Sequence, residues 1–477
     1  MISLRRVSLS HKQVIESYLS QASTLICDFT FSSLYMWQEV YNTCWTEVEG
    51  VMVVRFDLSE ENVKGYMIVG SEPSDASVEQ YHRLYSLLVA DAHQQGRQLR
   101  LVCMTHRAIQ HFLDWADLNY EAHERGLNVV SGRECFAVCD NPDYRDYIYS
   151  LDDLSQLSGR KYQPKRNHIN RFEAAYNYTF QKLTPSDFEQ CLMLDCRWQR
   201  QKIDSATSVV EVRNRVEHEC PPSQEHMAIR RAFDAYDELG LVGGVLRVDG
   251  QVVAFTYGSA LSDEVFCTHI EKADAAYEGA FQMINRSFAQ MLRQMGYVKV
   301  NREEDMGIAG LRRAKESYYP LMMQEKMSLR ELTPREVSSR ELWQRVFGDE
   351  REFVDLFMTE VYSPDNMLTR VEEGRVVSML HIVEMQTSLG RTGYLYAIAT
   401  DADYRGRGYS SQLIEEAFRL MRQRRYDVAM LIPATNQLKE FYSKFGFEDR
   451  SYQMDFSGGV YLGTGEVTAD LAMVKTL

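Results

Sequence analysis

Apolar and polar positions alternate along this chain in two rhythms, period two and period near 3.6, and the switches between them mark out the elements. Over residues 1–143 they predict a polar helix at 11–23 and a second helix beginning near Phe29, with Tyr35, Trp37 and Tyr41 partly buried. Half-buried strands follow over 45–49, 51–56 and 66–69, then a helix over 78–93, a strand over 99–103 and a helix over 107–118. The same order returns over 144–326. Helices over 160–171, 187–201 and 224–239 precede strands over 241–248, 252–259 and 265–270, with Asp249 and Gly250 as the hairpin turn. A helix over 280–295 and a strand over 297–300 complete that stretch. Over 327–477, strands at 376–384, 393–400 and 427–432 are interleaved with two amphipathic helices. The first puts Leu413, Ala417, Leu420 and Met421 on one face, and the second carries Leu438, Phe441, Tyr442 and Phe445. The expected class is therefore α/β with mixed sheets, in three stretches of similar order: 1–143, 144–326 and 327–477. Residues 327–332 fit equally as the last strand of one stretch or the first of the next.

Length and composition narrow the picture. A chain of 477 residues exceeds one ordinary core, and 45% hydrophobic with 25% charged residues describes a globular protein. The formal net charge of −15 argues against non-specific coating of nucleic acid. Nine cysteines without a Cys-x-x-Cys pair fit reduced thiols better than a disulfide framework. Cys135 and Cys139 come nearest to ligand spacing, but no second pair accompanies them, so no metal is expected. The polar residues after the first basic ones do not read as a signal peptide, and no run of about 18 apolar residues follows. The expected location is the cytoplasm, without an integral membrane segment.

The most specific chemistry lies between Gly393 and Gly446. A short strand ends in a glycine-rich turn, Arg405, Gly406, Arg407, Gly408, and a helix starts at once with Tyr409 and Ser410. Glycines let backbone approach a ligand, and the unpaired N–H groups and dipole of a helix start favour an anion such as pyrophosphate. An ordinary tight connection is the alternative for the turn alone. A dinucleotide fingerprint is excluded, because Ser411 stands where its third glycine is required. Two further stretches carry charge. Residues 160–171 contain Arg160, Lys161, Lys165, Arg166 and Arg171 with no acid, and with Arg312, Arg313 and Lys315 they form either a groove for a phosphate-bearing ligand or a solvated helix face. Glu303, Glu304 and Asp305 follow a strand end, where α/β sheets place ligands, although a solvated loop reads the same.

With Arg405, Gly408 and Ser410 in the turn, and Phe441, Tyr442, Lys444, Gly446 and Phe447 on the last helix, the C-terminal third resembles the acyl-CoA core of the GNAT N-acetyltransferase superfamily. The resemblance implies acetyl-CoA as cofactor and an amine, small-molecule or peptide, as acceptor. It places main chain at Ala397, Ile398 and Ala399 against the pantetheine, and the amides of Arg405, Gly406, Arg407, Gly408, Tyr409 and Ser410 under the pyrophosphate. It puts Asn436 near the cofactor and makes Tyr442 the acid that protonates the departing thiolate, a core aromatic being the alternative. Glu384 is the candidate base, with His381 behind it.

Residues His269, Glu271, Lys272 and Asp274, the stretch Asn301–Gly307, and Leu311, Arg313, Lys315, Tyr318 and Pro320 resemble the family related to the C-terminal catalytic domain of phosphatidylglycerol lysyltransferase. That family has two fused GNAT-like domains, which implies three GNAT-like units in this chain. It brings in a rival reading, transfer of an amino acid from aminoacyl-tRNA, with Lys161, Lys165, Arg166, His269, Glu271, Asp305, Arg313 and Lys315 as substrate-binding candidates. A protein that senses acyl-CoA without turnover is the third reading.

Overall fold

The computed structural model describes residues 2–58, 64–70, 72–74, 77–120, 131–206, 223–387, 389–449 and 472–477; of 200–206 only the backbone is described. The chain forms two compact units, one from Met1–Ala108 and Pro142–Lys326, the other from Ile109–Asn141 and Met327–Leu477. The sequence stretches are collinear; the compact units are not.

In the first unit, Arg5–Arg6, Cys44–Val48, Val51–Asp57 and Lys64–Val69 pair antiparallel in that order, and Arg100–Met104 joins the last of them in parallel. A second sheet runs in the order Met322–Gln324, Asp146–Ser150, Lys299–Asn301, Val265–Ala273, Gln251–Ala260, Val242–Val248, Tyr178–Lys182. Its parallel pair is Val265–Ala273 with Lys299–Asn301. In the second unit Met327–Glu331 pairs with Phe136–Cys139, and a further sheet runs Met367–Glu372, Arg375–Thr387, Gly390–Thr400, Val428–Leu431, Met473–Thr476, Glu448–Asp449. There the parallel pair is Gly390–Thr400 with Val428–Leu431.

A parallel pair needs a long crossover, and each is bridged by a helix: Val78–Gln94, Ala280–Gln294 and Tyr409–Gln423 respectively. The repeated order read from the sequence is thus a repeated topology, a mixed sheet with one helix-bridged parallel pair among its described strands. The three stretches are GNAT-like and lie in tandem along the chain.

The helices bury the faces that their periodicity marks. Tyr409–Gln423 buries Leu413, Ile414, Ala417, Phe418 and Met421, and the missing side chain of Gly393 makes room for the Met421 methyl. Segment 131–139 belongs to the second unit because of an internal ion network. The Arg340 guanidinium, 1% exposed, donates to Phe136 O at 2.9 Å and Asp355 Oδ1 at 3.0 Å, while Asp355 Oδ2 accepts the Val138 N–H at 3.1 Å. Arg351 adds bonds to Arg133 O and Phe136 O, both 3.1 Å. Helices Pro334–Phe347 and Arg351–Glu360, which carry these cations, escaped the sequence reading.

Candidate functional site

In the second unit, Gly390–Thr400 pairs in parallel with Val428–Leu431 through Thr392, Gly393 and Tyr394, then runs on six residues without that partner. Ala397, at φ +49°, bulges the strand at this point, where the register against Arg375–Thr387 slips between Met379 and His381. A bulge bends a strand and frees backbone groups on its edge. This edge, free among the described residues, leads into the glycine turn, exposed from Arg405 to Gly408, with Gly406 at φ +78° and Gly408 at φ +79°. Gly408 caps the helix Tyr409–Gln423, and the first amides of a helix have no intrahelical acceptor.

Arg405 Nε rests on Thr400 O at 3.3 Å and Arg407 stacks on the Tyr404 ring at 4.6 Å, so the two guanidinium groups flank the turn. Ser410 Oγ lies 2.7 Å from Thr400 Oγ1, which lies 2.8 Å from Ser378 Oγ, a hydroxyl chain pinning helix start to strand end. Tyr409 OH is bound to Glu372 at 2.5 Å. Asn436 opens the helix Asn436–Ser443, capped by Thr435. Tyr442 is 7% exposed beside Phe441 and Phe447, and burial raises its phenol to about 12, keeping it protonated at neutral pH.

Glu384 is held differently from what a base requires. Arg391 grips both its oxygens at 2.8 and 2.9 Å and the Tyr426 hydroxyl adds a bond at 2.8 Å, so the carboxyl lies below its usual range. A carboxylate so held is a weak proton acceptor. His381 is enclosed by Trp343, Phe357 and Tyr362, its Nε2 has no hydrogen-bond partner among the described residues, and burial with Arg335 nearby lowers its pKa to about 3.

In the first unit the strand ends of the second sheet gather a polar cluster. His269 is the bulged residue of its strand, since Gly258 faces Thr268 and Tyr257 faces Ile270. Its Nε2 lies 2.9 Å from both Ser32 Oγ and Ser259 Oγ, and its Nδ1 lies 2.9 Å from Glu303 Oε1. Glu303 sits in the left-handed region at φ +58°, its N–H bound to Asn301 Oδ1 at 2.6 Å. Lys315, 8% exposed, fastens that loop by donating to the carbonyls of Arg302, Glu303 and Glu304 at 2.6, 3.0 and 2.6 Å. Burial lowers its pKa. Beside it, Lys326 Nζ meets Asp28 at 2.8 Å, Asp146 at 3.0 Å, Glu304 at 3.1 Å and Cys27 Sγ at 3.3 Å. Asp146, stripped of solvent, rises to about 7 despite Lys326, whereas at Glu304 burial is opposed by Lys326, hydrogen bonds and Lys315 together and the carboxyl falls to about 2.

The other substrate-binding candidates divide into engaged and free groups. Glu271 is bound to Arg302 at 2.9 Å and to Asn285 at 3.2 Å. Asp305 accepts from Arg312 at 2.7 and 2.9 Å, Tyr147 OH at 2.6 Å and Gly307 N at 2.8 Å, which leaves it a scaffold group. Arg166 caps Leu157 O and Gly159 O, Arg171 pairs with Glu278, and Lys161 lies 3.5 Å from Asp153. Lys165 covers the Tyr318 ring, and burial lowers its pKa to about 8. Arg313 is exposed. Within the cationic run, Arg171 is thus answered by a distant acid, Lys161 by the nearby Asp153 and Arg166 by main-chain carbonyls, partners that a local reading does not show. Cys27, Asp28, Ser32, Ser259 and Cys267 were the residues that reading missed; the spacing of Cys267 and His269, two apart on one strand, is the local signal that could have added Cys267.

Residues 21–329 match the model of the phosphatidylglycerol lysyltransferase C-terminal domain. The chain belongs to that family. Within this lysyltransferase-like chain, residues 328–449 match an acetyltransferase (GNAT) domain. A conserved protein of unknown function from Bacteroides thetaiotaomicron is 30% identical, over 69% of this chain and 100% of its own, with a TM-score of 0.57. L-PGS from Bacillus licheniformis is 13% identical over 67% of this chain and 91% of its own, with a TM-score of 0.44. The C-terminal domain of a lysylphosphatidylglycerol synthetase from Agrobacterium fabrum is 14% identical over 68% and 92%, at 0.42. No curated protein matches. The two families make this member an acyltransferase. Among the described residues no helix is long and apolar enough to cross a membrane.

Proposed function

We propose that the second unit transfers an acyl group, acetyl in the first instance, from coenzyme A to an amine. The observation that carries this reading is the continuity from the bulged, unpaired strand edge at Ala397–Ala399 to the exposed turn Arg405–Gly408 at a helix start. The edge offers backbone groups to the pantetheine amides, and the turn offers amides and two guanidinium groups to the pyrophosphate. The neutral amine attacks the thioester carbon, a C–N bond forms as the C–S bond breaks, and the buried phenol of Tyr442 supplies the proton to the leaving thiolate, while the proton shed by the amine nitrogen passes to solvent, from which the phenolate is re-protonated. Glu384, gripped by Arg391, supports positioning of the strand more than proton removal.

Calorimetry with acetyl-CoA tests this, comparing the intact chain with the double variant Arg405→Glu, Arg407→Glu, which reverses charge without touching either glycine. Binding weakened at least tenfold is expected. Tyr442→Phe should leave affinity unchanged and slow turnover in an amine screen. Absence of heat from the intact chain at millimolar acetyl-CoA would remove the proposal. The match over residues 21–329 favours a second reading, aminoacyl transfer from tRNA in the first unit. Ribonuclease-sensitive incorporation of a labelled amino acid, unaffected by the Arg405 and Arg407 changes, would favour it.

A further inference from the structure

Among the described residues, two groups of ligand-type atoms converge in the first unit: Cys27 with Asp146 and Glu304, and Cys267 with His269 and Glu303. The first already contains a cation, since Lys326 Nζ lies within 3.3 Å of Cys27 Sγ and within 3.1 Å of both carboxylates. The second has no ammonium among its three donors. Cys267 Sγ lies 3.7 Å from His269 Nδ1 and 3.9 Å from Glu303 Oε1, and the nitrogen and oxygen are 2.9 Å apart. A tetrahedral Zn²⁺ with ordinary bond lengths holds S, N and O donors about 3.4–3.6 Å from one another, so small side-chain adjustments suffice.

We infer that Cys267, His269 and Glu303 form a site for a divalent transition metal of the zinc class, with a fourth position left for water or a ligand atom. Three features support this beyond proximity. Thiolate and carboxylate balance the charge of a divalent ion, so a buried site becomes neutral on filling. With Nδ1 on the metal, Nε2–H faces the Ser32 and Ser259 hydroxyls at 2.9 Å, the outer-shell acceptor that ligating histidines use to fix their ring. Both His269 and Glu303 are aimed by departures from regular backbone, the bulge and the φ of +58°. Such departures gather where side chains must be re-aimed. The Glu303 side chain, 24% exposed, gives an ion access while His269 is enclosed.

Chelator-treated full-length protein titrated with Co²⁺ tests the site. One ion per chain is expected, with a thiolate-to-cobalt charge-transfer band and the intense visible bands of tetrahedral Co²⁺, all displaced by Zn²⁺. Cys267→Ser should abolish the charge-transfer band, Cys27→Ser should retain it, and Glu303→Gln should weaken binding at least tenfold even if Cys267→Ser fails to fold. A full-length protein that binds neither ion after gel filtration overturns the inference. So does a band that survives Cys267→Ser or vanishes with Cys27→Ser.

Discussion

His381 shows what a single buried imidazole does to this protein. Its imidazole has lost water, faces aromatic rings and holds a pKa near 3, against about 6.5 when unfolded. The unfolded chain therefore binds one more proton between those values, and stability falls as pH drops from about 6.5 toward 3. Above pH 6.5 the group is neutral in both states and contributes no slope. His381→Phe, which fits an aromatic nest, should flatten this acid limb, raising Tm at pH 5 relative to the parent more than at pH 8. Equal shifts at both pH values in thermal scans would show that the histidine is not the proton acceptor. Lys315 offers the complementary case: Lys315→Met leaves three loop carbonyls without their donor. A loss of at least about 2 kcal/mol in urea unfolding is expected, from unsatisfied buried acceptors.

The bulge at Ala397 sets the behaviour of its strand. A non-glycine residue at φ +49° is tolerable for alanine and a severe outlier for a β-branched one. Ala397→Ile should cost about 1–2 kcal/mol and weaken acetyl-CoA binding together, whereas an exposed strand substitution such as Val371→Thr should change neither. Elements of this kind separate what the sequence discloses from what it hides. Strong periodicity announced the helix Tyr409–Gln423 and the strands Val242–Val248 and Gln251–Ala260, and glycine with arginine announced the turn. Nothing local announced the bulges at His269 and Ala397, because a bulge is a relation between two strands. Arg166 and Lys315 looked like free cations for the same reason: their partners are main-chain carbonyls, which carry no letter in the sequence. The short edge strand Tyr178–Lys182, which turns Tyr178 and Phe180 inward only partway, was also missed. In the cluster around His269, residues 32, 259, 269 and 303 come from separate segments, so the sequence reading reached His269 and Glu303 singly and could not bring them together.

At the scale of the whole molecule, residues 327–477 do not fold around their own sheet alone. Arg340 is buried and answered by Asp355 and by carbonyl oxygens of the earlier segment. Asp355→Ala should therefore destabilise the second unit by about 3–5 kcal/mol, the usual cost of stranding a buried charge. A fragment of 327–477 should give a broad, weakly cooperative melt, and a version carrying 109–141 on a linker should restore a sharp one. A sharp melt from the shorter fragment would argue that the Arg340 network is dispensable.

The threading of the second unit also has a temporal side. Strand Phe136–Cys139 leaves the ribosome long before its partner Met327–Glu331, with residues 140–326 made in between. At about 5–20 residues per second that interval is on the order of 10–40 s. During it, Phe136, Ala137 and Cys139, all buried at the end, have no mate. A nascent chain halted within 140–326 should bind a hydrophobic-strand chaperone at this segment and release it once residues beyond 360 emerge. Translation order, as much as contact energy, thus shapes how this acyltransferase is assembled.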